Sequence, residues 1–328
     1  MLMPKRLSIV TVTMNRTEHV IQSARAVARL DLHAEHLIVD YGSSPPLLRH
    51  QLPADARIRL VRVDSHDGQW WLTHAYNLAF ALASGDCILK LDADVLLAPS
   101  FARALLHQCH QGPSELLCNR LTRQDWQMPS RWFITNGLFV CCRHRLEALG
   151  GFNPYLRGWG WDEIDLYSRF FLAGASMSRL PSDGVTLIEH GDDQREVSLV
   201  PRHRPLLPAG LGLTQALSPT RRMEANKRKN RWIAVESLNQ GIRWPSLRDY
   251  ADAYRRHGSP PLIPPIDLLS AGQIQRLAPE LVQALLAPTR LRDLVFSCLQ
   301  RVGLGPYAPV PAARLLAASG IDLSLVGA

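Results

Sequence analysis

The sequence lacks the features that mark a secreted or membrane-spanning protein. Its six cysteines form no CxxC pair and show no Cys and His spacing typical of a structural zinc site. The first residues contain one short apolar run without a cleavage-site pattern, and no window reaches the ~18 to 20 uninterrupted apolar residues that cross a bilayer. We therefore expect a reducing, cytoplasmic location, and we exclude a small disulfide-stapled scaffold.

Acidic residues are too few to balance the basic ones. The chain of 328 residues has 37 Lys and Arg against 29 Asp and Glu, a formal net charge of +8. Such an excess suits phosphate-bearing small molecules, an anionic membrane surface or nucleic acid. Apart from the run at 221–231, the basic residues are dispersed and match no nucleic-acid-binding module, so we expect no nucleic acid partner. The run could approach a diphosphate or anionic lipid, which leaves peripheral contact with the inner face of a membrane open; the alternative is an ordinary solvated basic face.

Strands and helices alternate through the first 97 residues, which predicts an α/β fold with a mostly parallel, Rossmann-like sheet. The predicted elements are strands at 7–13, 37–40, 57–63 and 87–94 and helices at 17–30 and 72–83. Ligands of such sheets gather at the carboxyl ends of the strands. The polar residues at these ends, 13–16, 40–44, Asp92 and Asp94, are therefore candidate site residues.

The rest of the chain divides into three predicted parts. Residues 98–200 complete a catalytic domain that covers 1–200. Residues 201–257 form a basic segment that wraps the surface. Residues 258–328 begin with a Pro-rich linker and form a helical C-terminal extension, through which the chain could associate into a homo-oligomer. The elements predicted within 98–200 are a helix opened by Pro99, strands at 115–121, 137–143 and 185–190, and a helix at 162–173.

Two aspartates, Asp92 and Asp94, follow an apolar run. On an extended chain, residues two apart project to the same side, so both carboxylates can face one ligand. Hard oxygen ligands at a strand end suit Mg²⁺ or Mn²⁺ bound together with a diphosphate. The alternative is an ordinary turn, since Asp is common where strands end.

A Trp-rich segment, Gly158-Trp159-Gly160-Trp161-Asp162-Glu163-Ile164-Asp165, opens a predicted helix. Flat aromatic faces beside carboxylates suit a sugar, because its CH groups stack on the rings while carboxylates accept protons from its hydroxyl groups. The alternative is a helix start in which acidic residues complement the dipole and Trp belongs to the core.

Together these segments resemble inverting nucleotide-sugar glycosyltransferases of the GT-A fold, family 2 type, across residues 5–195 and more loosely 226–250. The Trp-rich segment is similar to the GWGxED motif of galactosyltransferases. The other segments that carry the resemblance are SIVTVTMNR, LIVDYGSS, THAYNLAFALASGDCILKLDAD and LIEHGDD.

The resemblance implies a role for each matching residue. Asp94 and His190 would ligate a metal, Mn²⁺ more readily than Mg²⁺ because of the imidazole, with Asp92 beside them near the ribose and donor sugar. The alternative for His190 is a structural histidine. Glu163 aligns with the general base, but the usual Glu-Asp order is reversed here, so Asp162 competes for that role. The residues that would bind the nucleotide sugar are Thr13, Asn15, Arg16, Asp40, Gly42, Ser43, Asn77, Asp92, Trp159 and Trp161.

The expected activity is metal-dependent, inverting transfer of a hexose of the Gal, GalNAc or Glc type from a UDP-sugar to a hydroxyl group. The acceptor could be a saccharide, a glycolipid or a peptide side chain. A nucleotidyltransferase would also place carboxylates and a metal at strand ends, but would not need the Trp-rich platform. A carbohydrate-binding protein without catalysis is the third alternative.

Overall fold

The computed structural model describes residues 6–65, 68–111, 114–119, 137–158, 160–188 and 241–264, together with 230–231, 233–234 and 237–238. None of the helices in these ranges is long and apolar enough to cross a bilayer. The strands are β1 (Leu7–Thr13), β2 (Glu35–Tyr41), β3 (Ile58–Val63), β4 (Cys87–Lys90), β5 (Val95–Leu97), β6 (Leu116–Cys118), β7 (Phe139–Cys142), β8 (Met177–Arg179) and β9 (Val185–Leu187). The helices are α1 (Thr17–Ala28), α2 (Leu72–Leu82), α3 (Pro99–Gln111), α4 (Arg143–Ala148), α5 (Asp162–Leu172) and α6 (Leu247–His257).

Seven strands form the main sheet in the order β3-β2-β1-β4-β7-β6-β8. The pairs among β3, β2, β1 and β4 are parallel, as is β6 with β8, whereas β7 runs antiparallel to both of its neighbours. Every residue of β1 and β2 is buried, as expected for strands covered on both faces. The predicted mostly parallel α/β sheet is confirmed.

The strand order reverses at β1, which has β2 on one side and β4 on the other. After β1 the chain moves outward through β2 and β3, and it then returns to the opposite side of β1 with β4. In open α/β sheets this switch point leaves a crevice outside the carboxyl ends of the strands, where ligands bind. The topology therefore points to the loops after β1 and β4.

The chain divides into two compact units. The first contains Met1–Pro154, Arg169–His190 and Trp244–Leu262, and it holds both sheets. The second contains Tyr155–Ser168, Gly191–Arg243 and Ile263–Ala328. The boundaries at residues 200 and 258 stay predictions, and most of the C-terminal extension lies outside the described residues.

Helix α6 belongs to the first unit, although it comes late in the chain. Its start is capped by Ser246, whose hydroxyl accepts a hydrogen bond from the Asp249 backbone, and its end is capped by Gly258 in the left-handed conformation. The Tyr250 hydroxyl lies 2.6 Å from Nδ1 of His74 on α2. Tyr250 is fully buried, and this contact attaches α6 to α2.

The small antiparallel sheet of β5 and β9 lies at the carboxyl end of β4. Its register pairs Val95 with Leu187 and Leu97 with Val185. Next to the Val95–Leu187 pair, the Ile188 N–H donates to the Asp94 carbonyl at 2.8 Å. The chain that leads to His190 therefore passes directly beside Asp94.

Candidate active site

The aspartate pair lies in a turn. Strand β4 ends at Lys90, and the Val95 N–H donates to the Asp92 carbonyl at 3.1 Å. The predicted strand over 87–94 was therefore too long, and the extended-chain argument for the two carboxylates was wrong because the chain turns between them. Both side chains are nevertheless partly exposed, Asp92 by 31% and Asp94 by 15%, while Ala93 between them is buried.

Arg16 and Asp94 meet across the switch point. Arg16 immediately precedes α1, and its guanidinium lies 3.3 Å from Oδ2 of Asp94 in the turn after β4. Both groups are partly exposed, and such pairs contribute about 0–1 kcal/mol to stability. An incoming anion or cation can therefore replace either partner at small cost. The arrangement puts one positive and one negative group at the place where the topology predicts a ligand.

Asp92 forms an ion pair with a buried lysine. The Lys90 side chain is fully buried, and its Nζ lies 2.8 Å from Oδ1 of Asp92. The Tyr76 hydroxyl lies 3.1 Å from the same oxygen, and the Lys90 Nζ lies 4.8 Å from the centre of the Tyr76 ring. These contacts fix the orientation of the Asp92 carboxylate. Sequence reasoning missed both Lys90 and Tyr76, although a lone lysine inside an apolar strand was an available signal.

The loops after β1 and β2 are joined by two hydrogen bonds. The Asn15 N–H donates to Oγ of Ser43 at 2.9 Å, and the Ser44 N–H donates to Oδ1 of Asn15 at 2.7 Å. Asn15 has a positive φ of 57°, a conformation that Asn tolerates better than most residues. The predicted nucleoside residues Asn15 and Ser43 are therefore brought together at one rim of the site.

Asp40 and Gly42 shape the loop after β2. The fully buried Asp40 carboxylate accepts hydrogen bonds from the Ser43 N–H at 3.0 Å, the Leu47 N–H at 2.9 Å and the Arg62 guanidinium at 2.7 Å. Gly42 has a φ of +79°, and a Cβ there would approach the backbone nitrogen of Ser65 to 3.2 Å. Their contact with a nucleoside stays a prediction beside this structural role.

The side chains of Thr13 and Asn77 differ in their hydrogen bonding. The buried Thr13 hydroxyl, at the carboxyl end of β1, has no hydrogen-bond partner in the described part of the chain. Asn77 instead donates from Nδ2 to the Phe152 carbonyl at 2.8 Å and accepts from the Phe152 N–H at 2.7 Å. A Cβ at Gly151 would collide with Oδ1 of Asn77, which explains the glycine. Asn77 thus clamps the chain at 151–152, and its contact with the donor stays a prediction.

The second unit carries the candidate base. Asp162 and Glu163 begin helix α5; Asp162 is 5% exposed, whereas Glu163 is only partly buried. Trp161, directly before the helix, has a positive φ of 74°, which a bulky side chain rarely adopts. The Arg231 guanidinium lies 5.3 Å from the centre of the Trp161 ring, and burial lowers the pKa of Arg231 from its ordinary value.

Two predicted site residues, Trp159 and His190, lie outside the described residues. Within the ranges that the structure describes, no three His, Cys, Asp or Glu side chains come together as a metal-binding group. Magnesium sites commonly use one or two carboxylates together with substrate phosphates and water, so the oxygen donors of Asp92 and Asp94 still fit such an ion.

Residues 117–191 match the family described as the N-terminal domain of galactosyltransferase. The matched segment includes the Trp-rich motif and both acidic residues at the start of α5. No curated protein matches the chain.

Several solved glycosyltransferase structures are similar. A mannosyltransferase from Pyrobaculum calidifontis, in complex with GDP-Man and Mn²⁺, is 15% identical, with 98% of this chain and 85% of that chain covered and a TM-score of 0.48. Glucosyl-3-phosphoglycerate synthase from Mycobacterium tuberculosis is 17% identical, with 59% and 76% covered and a TM-score of 0.39. A Drosophila β-1,4-galactosyltransferase 7 variant with manganese, UDP-Gal and xylobiose is 17% identical, with 65% and 80% covered and a TM-score of 0.39.

The match to a galactosyltransferase family covers the segment that carries the Trp-rich motif, and the main sheet has the mostly parallel architecture expected of the GT-A class. Together they confirm the resemblance of this chain to glycosyltransferases with a GT-A fold.

Proposed function

We propose that the protein is a metal-dependent, inverting glycosyltransferase that transfers a hexose from a UDP-sugar to a hydroxyl acceptor. The observation that carries this proposal is the arrangement at the switch point, where Arg16, Asp92 and Asp94 converge on the loops after β1 and β4. The galactosyltransferase match supports the reaction class. The identity of the sugar and the inverting stereochemistry rest on the resemblance of the sequence motifs.

The donor would bind along the joined loops. Asn15 and Ser43 form a rim beside the end of β1, and the Thr13 hydroxyl there is a buried group of the kind that a bound nucleoside would satisfy. The Arg16 guanidinium, paired with Asp94 in the structure, suits a diphosphate, because its planar N–H groups match phosphate oxygens.

Asp94, with His190 and Asp92, would hold the metal ion. When bound, this ion supplies positive charge that stabilises the diphosphate leaving group. The two carboxylates are not equivalent, because Asp92 is held by the buried Lys90 whereas Asp94 contacts the partly exposed Arg16. We therefore assign the principal ligand role to Asp94 and the contact with ribose and donor sugar to Asp92.

Glu163 would remove the proton from the acceptor hydroxyl as that oxygen attacks the anomeric carbon. The attack comes from the face opposite the leaving group, so the configuration inverts. Glu163 is more exposed than Asp162, which supports it as the carboxylate that reaches an acceptor. Trp161 supplies an aromatic face next to this helix start, suited to stacking on a sugar.

The reaction class is tested by product analysis with purified protein. UDP-sugars and nucleoside triphosphates are supplied separately with Mn²⁺, and UDP and pyrophosphate are quantified. Release of UDP from one UDP-sugar supports the proposal, and chelation with EDTA should abolish it. Release of pyrophosphate alone would identify a nucleotidyltransferase, and turnover of neither substrate class with any acceptor would favour a binding protein.

The role of Asp94 is tested by Asp94→Asn. We expect loss of Mn²⁺-dependent UDP binding by at least about tenfold, because the amide replaces a charged metal ligand with a neutral one. Titration calorimetry with UDP, with and without Mn²⁺, measures this. Asp64→Asn is the matched control, since Asp64 is 90% exposed and pairs with Arg62 in β3. Unchanged Mn²⁺-dependent affinity in Asp94→Asn would remove Asp94 from the metal site.

The role of Glu163 is tested by Glu163→Gln. We expect kcat to fall by ~10² to 10⁴, the usual contribution of general-base assistance, while the affinity for UDP is unchanged. Asp162→Asn is the neighbouring comparison in the same helical turn. Loss of turnover in Asp162→Asn alone would move the base to Asp162.

A further inference from the structure

Two cysteines face each other across neighbouring strands. Cys87 on β4 and Cys142 on β7 are direct partners in the antiparallel register. Their backbone N–H groups point away from the pair: Cys87 donates to the Arg6 carbonyl on one side, and Cys142 donates to the Glu115 carbonyl on the other. The next bond along the ladder runs from the Arg143 N–H to the Asp86 carbonyl at 2.9 Å. The pair is therefore of the non-hydrogen-bonded type, in which side chains approach most closely.

Such a pair has Cα atoms about 4.5 Å apart, which lies within the range of about 4.4–6.8 Å that a disulfide can bridge. Neither cysteine is in a disulfide and both are partly exposed, so a small reagent can reach them. Cys141, adjacent in sequence, is buried and projects to the opposite face of the strand. The geometry thus selects one of two adjacent cysteines for the contact with Cys87.

The surroundings also give the adjacent Cys141 and Cys142 different thiol pKa values. A hydrogen bond from Cys87 lowers the pKa of Cys142 to about 7, with a further contribution from Arg145, while partial burial and the Glu115 carboxylate oppose the shift. Burial raises the pKa of Cys141 well above its ordinary value. At neutral pH, Cys142 is therefore a substantial fraction thiolate, the nucleophilic form, whereas Cys141 is a thiol.

We propose that Cys87 and Cys142 are a redox-active dithiol that reacts with low-molecular-weight disulfides of the glutathione class. The Cys142 thiolate attacks one sulfur of the small disulfide and expels one thiolate, which leaves a mixed disulfide on Cys142. Cys87, after losing its proton, attacks the Cys142 sulfur and expels the second thiolate. The net reaction converts two protein thiols and one small disulfide into one protein disulfide and two small thiols, and excess small thiol reverses it.

The position of the bond gives it a defined place in the fold. It would link the first residue of β4, the strand that leads into Lys90 and Asp92, to the last residue of β7. Because the chemistry involves only these thiols, it is independent of the proposed transferase activity and is measured without turnover.

The test is peptide mapping of the full chain after incubation with oxidised glutathione at pH 7.5. Free thiols are blocked with iodoacetamide, and trypsin then releases Cys87 in residues 63–90 and both Cys141 and Cys142 in residues 132–143. We expect a disulfide between these two peptides in wild type and in Cys141→Ala, its loss in Cys142→Ala, and its disappearance with reduced glutathione. A cross-link that requires Cys141, or a mixed disulfide on Cys142 that never resolves, would overturn the proposal.

A second measurement covers the case in which a substituted protein does not fold. The alkylation rate of Cys142 in wild type, followed by mass spectrometry from pH 5.5 to 9, should rise with a midpoint near 7. In Cys87→Ala the midpoint should move to higher pH, because the hydrogen bond that stabilises the thiolate is lost. A wild-type midpoint above 8.5 would contradict the proposed nucleophile.

Discussion

Charged groups at the two ends of the main sheet differ in burial and hydrogen bonding. At the amino end, Glu35 accepts hydrogen bonds from the Ser8 hydroxyl at 2.5 Å and from the Ser84 backbone at 2.8 Å, and the nearby His36 is fully buried. At the carboxyl end, Arg16 and Asp94 are partly exposed and each lies on a loop. Glu35 and His36 at the amino end are therefore fixed by the fold, while Arg16 and Asp94 at the carboxyl end can exchange partners with a ligand.

The pKa directions show how strongly the fold acts on the groups at the amino end. At the amino end, burial lowers the pKa of His36 to about 3 and that of His33 to about 4, with Arg57 adding to the effect on His33 against Asp55 and Asp31. Burial would raise the pKa of Glu35, but its hydrogen bonds from Ser8 and Ser84, together with Arg59, outweigh burial and lower it. We therefore expect the amino end to control stability and the carboxyl end to control activity.

Acidification should have the largest effect, and it should act through the amino end. Below pH 6.5 the unfolded chain protonates its histidines, whereas His33 and His36 stay neutral in the fold, so stability is lost as the pH falls from 6.5 toward 4 and 3. At pH 5 the loss is about 2 kcal/mol for each imidazole. Urea unfolding at pH 7.5 and pH 5 measures it.

The matched variant for this prediction is His33→Asn, which removes one of the two imidazoles. The loss of stability between pH 7.5 and pH 5 should then be about half of the wild-type loss, whatever the absolute stability of the variant. An unchanged pH dependence would show that His33 is not protonated differently in the folded and unfolded states.

Lys90→Met should have an intermediate effect on stability, and it should also lower activity. The ammonium is fully buried, but Asp92 is 31% exposed and can be hydrated in its absence, so we expect a loss of about 1–3 kcal/mol in stability. Turnover should fall by about 10-fold to 100-fold, because the Asp92 carboxylate is no longer held in place. Thermal unfolding and initial rates measure the two effects.

Glu35→Gln is the control for Lys90→Met, because it changes a buried, hydrogen-bonded charge at the amino end. It should lower Tm and leave kcat unchanged. If Glu35→Gln lowers kcat as much as Lys90→Met does, the functional distinction between the two ends is wrong.

Arg16→Ala should have the smallest effect on stability, below about 1 kcal/mol, because its pair with Asp94 is partly exposed. Its effect on UDP affinity should be about tenfold or more, since it removes a charged donor to the diphosphate. Arg25→Ala is the matched control, because Arg25 is exposed on α1, the helix that Arg16 precedes. Equal UDP affinity in both variants would exclude Arg16 from the donor site.

The agreement between sequence and structure is best where local pattern controls the backbone. Residues 7–13 are apolar on both faces, and β1 spans the same residues. Helix α6 was missed, although Ser246, Asp249 and Gly258 provide a capping box and a terminal glycine that could have identified it. The strand into Asp94 was overextended, because an apolar run does not reveal where a turn closes.

Side-chain contacts between segments that are distant in the sequence could not be predicted from the sequence pattern. The resemblance predicts that Asn77 binds the nucleotide sugar, but no pattern predicts that its amide hydrogen bonds to Phe152, 75 positions away. The contact of Asp94 with Arg16 spans 78 positions. No periodicity within either segment specifies such a pair, because the two segments meet only when the sheet forms.

The sequence by itself determined the α/β class, the positions of the main strands and helices, and the residue types available for metal and sugar chemistry, because these follow from local periodicity and composition. The tertiary structure alone decided that Arg16 meets Asp94, that Lys90 is buried behind Asp92, and that Cys87 faces Cys142. These pairings depend on strand order and register, which are set by the packing of the whole sheet.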